Sequence, residues 1–167
     1  MNRRFVLALS SIAALGLGSL PGAAIGQEKS VKDQLVGTWT LVSYDRVGNG
    51  TRQSIANPKG FLMFDAGGRY AMVGERGDRP KFKAADKPTA DELAAATTDF
   101  FAANFGTWSV SEADKTLTQR YDGALRPNNE GIDIKSSISL TGDQLKLVNV
   151  TTLPTGVTVE QVFRRAK

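Results

Sequence analysis

Neither histidine nor cysteine occurs in this 167-residue chain. Together the two absences remove zinc and copper sites of the usual ligand sets, histidine-ligated haem, and every dyad or triad built on His or Cys. The phosphate-cradling pattern G-x-x-x-x-G-K-S/T is absent, and so are a G-x-G-x-x-G after a strand and a D-x-D/N-x-D/N-G calcium loop. The Asn128–Gly131 stretch beside Asp133 has the residues of a solvated turn, not of a cation site. No metal and no cofactor is therefore expected. No cluster of Lys and Arg is placed to follow a phosphate backbone, which argues against a nucleic-acid partner. Without cysteines the fold stands on packing alone.

The first 26 residues read as an export signal. Arg3 and Arg4 precede an apolar stretch, and small residues precede a polar one, with Ala24 and Gly26 suited to the −3 and −1 positions. The apolar run is shorter than the ~20 residues of a membrane span, so no stable anchor is expected after cleavage. "NRRFVL" fits the twin-arginine pattern loosely, and the general secretory route fits as well. The expected destination is the periplasm or the exterior. Residues 27–167 then form a single domain, long enough to bury a core as a monomer. The leader takes two of the 21 basic residues and none of the 17 acidic ones, leaving a near-neutral domain of net charge +2.

From Leu35 onward the chain is a succession of short alternating runs divided by turn residues. "LVGTWTLVSYD" is the first and "TRQSI" a weak second. "FLMF" and "RYAMVGE" form a hairpin about "DAGG". "FGTWSVS", "TLTQRYD", "IDIKSSISL", "LKLVNVTT" and "VTVEQVFRR" complete the set. Eight or nine strands, each joined mostly to its neighbour, close most readily into an up-and-down antiparallel barrel, which leaves few exposed edges. One segment departs from this pattern. "KPTADELAAATTDFFAANF" has a helical period, with Thr89 and Glu92 placed as a capping box. Leu93, Ala96, Phe100 and Phe101 are expected on one face, covering an end or a side of the barrel, between the fourth and fifth strands. "GTWT" at 37–40 and "GTWS" at 106–109 read as two similar strand starts.

Gly37 allows a close approach as the chain enters the first strand, and Trp39 is expected to fill the barrel base. Arg164 or Arg165 on the last strand is placed to cover its ring. These residues resemble the lipocalin and fatty-acid-binding group of barrels. The bacterial and fungal lipocalin-like domain proteins are the nearer likeness. It is carried by "LVGTWTLVSYD", by "NPKGFLMFDAGGRYAMVGERGDRPKF", and by the Ala- and Phe-rich segment running into "NFGTWSVSEADKTLTQRYDGALRPN". The resemblance implies a barrel with an internal pocket and no defined substrate. Several relatives carry histidines in the strand after the second G-x-W. This chain has none, so an activity depending on them is not expected here.

Alternation assigns Leu41, Phe64, Tyr70, Met72, Tyr121, Ile134, Ile138, Leu147 and Phe163 to the barrel lining. The corresponding ligand is small and apolar or amphipathic. Burying ten methylene-sized groups yields roughly 8 kcal/mol gross against an association cost of about 4 kcal/mol or more, which suits a micromolar carrier. Arg76, Arg79 and Arg120 are the candidate polar contacts, Arg76 and Arg79 as a pair gripping a carboxylate or, alternatively, as partners of Glu75 and Asp78. Asp133 falls on the outward parity, and no pair of facing carboxylates is evident, so no catalytic residue is assigned. Two alternatives stay open. One is a cofactor-free isomerase or cyclase using the barrel as a shaped container. The other is a filled barrel acting as an interaction module of the cell envelope.

Overall fold

Among the described residues nine strands form one antiparallel sheet whose first and last long strands pair, so the sheet closes on itself. The computed structural model describes residues 29–48, 50–150 and 156–167, and the export signal lies outside them. A one-turn helix α1 (Val31–Leu35) leads into β1 (Gly37–Gly48), β2 (Thr51–Ser54), β3 (Pro58–Phe64) and β4 (Arg69–Arg76). Helix α2 (Ala90–Thr98) follows, then β5 (Phe100–Ser111), β6 (Thr116–Ala124), a 3-10 turn at Pro127–Asn129, β7 (Asp133–Thr141), β8 (Gln144–Asn149) and β9 (Thr158–Arg165). The barrel order is β1-β3-β4-β5-β6-β7-β8-β9, with β9 returning to β1.

The weak second run is the extra strand. One edge of β1 is divided: Gly37–Thr40 pairs with β3, and Asp45–Gly48 pairs with β2. All four residues of β2 are exposed. It is a flap on the barrel wall and adds nothing to the core.

The base is packed solid. Leu35, Trp39, Leu62, Phe64, Leu117, Leu145, Leu147 and Phe163 are all below 2% exposed. Burying side chains of this size contributes about 1.5–3 kcal/mol each before entropy is counted. α1 closes the base from beneath. Its Val31 and Leu35 are buried, and its first two amides donate to the Glu112 carboxylate, each at 3.0 Å.

Trp39 donates from Nε1 to the Leu35 carbonyl at 2.8 Å, and the Arg165 guanidinium lies 4.1 Å from its ring centroid. Arg165 also donates to the carbonyls of Val36 and Gln34, pinning the last strand to the entry of the first. Arg164 is exposed, so Arg165 alone covers the indole. Gly37 takes φ +126°, and a Cβ there would stand 3.3 Å from the Arg165 guanidinium, which explains a glycine at this crossing. Trp108 has the same role on the opposite wall: its Nε1 donates to the Asp65 carbonyl at 3.1 Å and its ring packs on Phe64 at 4.7 Å. The second G-T-W therefore lies in the latter half of β5, close to where that strand ends, and is not a strand start.

Helix α2 differs from expectation. Thr89 and Glu92 make the capping box, but the helix stops at Thr98, and Phe100 and Phe101 belong to β5. No residue of α2 is buried, and Leu93 is 50% exposed. An Ala-rich segment without large side chains has little apolar area to gain by lying on the wall. Pairing with β4 captures the two phenylalanines into the sheet instead.

Candidate functional site

Above the packed base the barrel opens into a cavity of about 290 Å³. Three β-bulges shape it. In β1 the register slips between Leu41 and Ser43, so the inward positions run Trp39, Leu41, Tyr44, Arg46 and not in strict alternation. A second slip, between Gly74 and Glu75 opposite β5, lets Phe101 turn inward. The Phe101 ring lies directly on Gly74, where a Cβ would come within 2.5 Å of it. It then packs against Tyr44 with centroids 4.3 Å apart, and the two rings form one wall. The third slip separates Phe105 from Gly106, opposite Tyr121.

Beyond that pair, with Gln161 the cross-strand neighbour of Tyr44, the cavity is largely polar. Gln119, Asn149 and Gln161 line it from β6, β8 and β9, and Asn104 from β5. Gln119 is only 6% exposed. Ser136, at 1% exposed, donates to Asn149 Oδ1 at 3.0 Å, which leaves the amide nitrogen of Asn149 as a donor. Asn104 Oδ1 is buried and has no hydrogen-bond partner among the described residues. Arg46, on the inner side of β1, and Arg126, in the loop after β6, complete the lining.

Among the described residues no Asp or Glu lines this cavity, and neither Arg46 nor Arg126 makes an ion pair. Both guanidiniums act on the Tyr44 hydroxyl. Burial pushes its pKa up and outweighs the opposing pull of Arg46 and then of Arg126. Burial likewise raises Tyr70 and Tyr121 far above the ordinary phenol range. All three phenols stay protonated at neutral pH and so do not serve as bases, and the Tyr70 hydroxyl has no hydrogen-bond partner among the described residues.

Of the nine residues assigned to the lining, Met72, Tyr121 and Ile134 face the cavity. Leu41, Phe64, Tyr70, Leu147 and Phe163 are buried in the packed cluster, with Ile138 against it. They point inward but fill the base. The three arginines do not reach the cavity either. Arg76 pairs with Asp78 and Asp99 at 3.3 and 3.8 Å, and Arg79 pairs with Glu75. Arg120 pairs with Asp133 at 3.4 Å on the outer face. Arg79 instead anchors the loop that carries α2. Its guanidinium stacks 4.2 Å from Phe100 and donates to the Ala96 carbonyl at 3.3 Å. Beneath that loop lies a second hollow of about 670 Å³, between Pro80–Lys83 and the inner side of α2.

The cations at the cavity, Arg46 and Arg126, are absent from the sequence-based assignment. The bulge in β1 reverses parity, so alternation counted from Trp39 turns Arg46 outward. Gln119 was within reach of simple alternation on β6, since it shares parity with Leu117 and Tyr121.

The family model of the lipocalin-like domain matches residues 36–164. The chain belongs to the lipocalin-like domain family. Among solved structures, a mutant of the fluorescent protein UnaG is similar at 14% identity, covering 80% of this chain and 97% of that one with a TM-score of 0.34. No curated protein matches the chain. Within this lipocalin-like barrel the site is a half-open cup, solid below, with one aromatic wall, one amide-rich wall and two arginines.

Proposed function

We propose that this lipocalin-like protein binds a small amphipathic molecule in the upper half of its barrel. The observation that supports this reading is a 290 Å³ cavity in direct continuity with a fully packed base. That volume is about twice the ~150 Å³ cavity that admits benzene. A cofactor-free enzyme is less well supported, since the described lining residues include no carboxylate and the phenols keep their protons near neutral pH, leaving no phenolate to accept another. A barrel filled throughout is not what the cavity suggests.

Native mass spectrometry of protein purified from its own source tests the binding reading. A co-purifying mass in the range of one small organic molecule is the expected result. Bare protein, together with no displacement of any fluorescent probe by small amphiphiles, would overturn it. We also take residues 1–26 as an export signal, on the arginines, apolar stretch and small residues read above. N-terminal sequencing of the mature product should begin at Gln27, and an intact Met1 would refute this.

A further inference from the structure

The cavity's chemistry narrows the ligand beyond "amphipathic", on the reading that the cavity is a binding site. Its charge is one-sided. Arg46 and Arg126 line it, no carboxylate does, and neither arginine has an anionic partner among the described residues. Five other arginines, at 52, 69, 76, 79 and 120, each pair with an acid, while Arg165 is taken up by Trp39 and two carbonyls and Arg164 stands exposed on β9 outside the cavity. Guanidinium is the side chain best shaped for an oxyanion, which it holds through two parallel N–H donors. Two such groups left unpaired on a concave surface form a site of matching charge.

The remaining walls define what the anion is attached to. The Tyr44–Phe101 pair, its rings tilted 45° to each other, gives an aromatic surface on one side, with Met72 and Ile134 adding apolar contact. Aromatic rings favour offset or edge-on contacts with a further ring, and a tilted pair offers both a face and an edge. Across from it the amides of Gln119 and Asn149 would meet polar atoms at the ligand's edge, and the Asn104 carbonyl oxygen lacks a donor. Burying an alkyl chain against these amides would leave them unsatisfied at about 1–3 kcal/mol each. The volume, about twice that which holds benzene, accepts two fused rings and not an extended long-chain lipid.

We propose that the ligand class is a planar aromatic acid of about two rings, its carboxylate held between Arg46 and Arg126 and its ring seated on the Tyr44–Phe101 wall. The row of amides reads substituents on the ring edge, and the packed base sets the depth. Affinity therefore depends on the charge of the acid and only weakly on added chain length.

The test uses two probes of the same skeleton and nearly the same volume, 2-naphthoate and the neutral 2-naphthamide. Each is titrated against the mature chain by calorimetry at pH 7.5 and low salt. The expected result is at least tenfold tighter binding of the acid. Arg126→Gln lies on the exposed loop and leaves the fold alone, and it should weaken naphthoate about tenfold while leaving naphthamide within twofold. Arg46→Gln should do the same, and Arg120→Gln, on the outer face, should change neither probe. Equal binding of acid and amide, or an acid preference that survives both cavity variants, overturns the aromatic-acid assignment and leaves the binding reading standing. Failure of both probes, together with failure of neutral bicyclic and short-chain amphiphiles, removes the binding reading as well.

Discussion

The lower and upper halves of the barrel are built from the same strands and do opposite things. Below, inward positions are mostly Trp, Phe and Leu, and among the described residues little polar remains there besides the backbone-bound indole nitrogens, the unpartnered Tyr70 hydroxyl and one capping arginine. Above, the same strands turn inward Gln119, Asn104, Asn149, Gln161 and Arg46. The change occurs within two residues on β6, between Leu117 and Gln119, and on β8 between Leu147 and Asn149. A closed sheet does not require this division. Continued apolar side chains would have filled the barrel to its rim and added stability. The polar upper half gives up part of that gain, as binding sites commonly do.

The largest effect expected from breaking the comparison lies in the base. Trp39→Ala or Phe163→Ala removes a side chain with no exposure, and should cost about 3–5 kcal/mol in chemical denaturation. A cost below about 1 kcal/mol would mean that the base is not the structural half. Next is Arg165→Met, which keeps the aliphatic stem but loses the contact with Trp39 and two carbonyl partners. About 2 kcal/mol is expected from these terms together, with the naphthoate affinity unchanged because the cavity is remote.

Ala102→Phe sharpens the comparison from the other side. Ala102 lines the cavity from β5 at 8% exposure, so a ring there occupies ligand space. Naphthoate binding should fall more than tenfold by calorimetry. The thermal midpoint should move by only a few degrees, as expected for about 1 kcal/mol in a domain of this size. A fall in stability comparable to that of Trp39→Ala would show that the upper half is as tightly packed as the lower.

How much of this was legible in the sequence follows the same division. The base was legible. Gly37, Trp39 and the basic end of β9 sit at strand ends where the register is not yet disturbed, and buried apolar side chains obey the two-residue period. The upper half was not, for two physical reasons. Three bulges shift parity at sites that alternation cannot locate, which hid Arg46, and a helical period carried one turn too far hid Phe101. Polar inward residues also look like outward ones to a hydrophobic pattern, which hid Gln119 and Asn149. Reading every apolar inward residue as a lining residue therefore described the plug for the most part, and reached the cavity only at Met72, Tyr121 and Ile134.

Acid should loosen α1 before the barrel. The amides of Lys32 and Val31 donate to the Glu112 carboxylate and hold its pKa below the ordinary glutamate value. The folded form therefore binds this proton less readily than the unfolded chain. The stabilisation is complete above the ordinary glutamate range and is lost as pH falls through the lower folded value. Below about pH 4 the thermal midpoint of the wild type should descend more steeply than that of Glu112→Gln, and the two curves should converge at the acid end. Parallel curves from pH 7 to 3 would mean that Glu112 is not the clamp under the base.

The smallest effect belongs to α2, the one element outside both halves. Its capping box fixes where it starts, and the Glu92 carboxylate accepts from the backbone amides of Thr89 and Lys83 at 2.8 and 3.0 Å. None of its side chains is buried, and Arg79 ties its loop to Phe100. Leu93→Ser should therefore alter stability by less than about 0.5 kcal/mol, the scale of an exposed substitution, where a leucine packed on the wall would cost several times more. Glu92→Gln weakens the cap and should expose the amides of Thr89 and Lys83 to hydrogen exchange while those of β5 remain protected. If Leu93→Ser destabilised the domain by 2 kcal/mol or more, the helix would have to pack against the barrel in solution, and the upper half would be a covered chamber instead of an open cup.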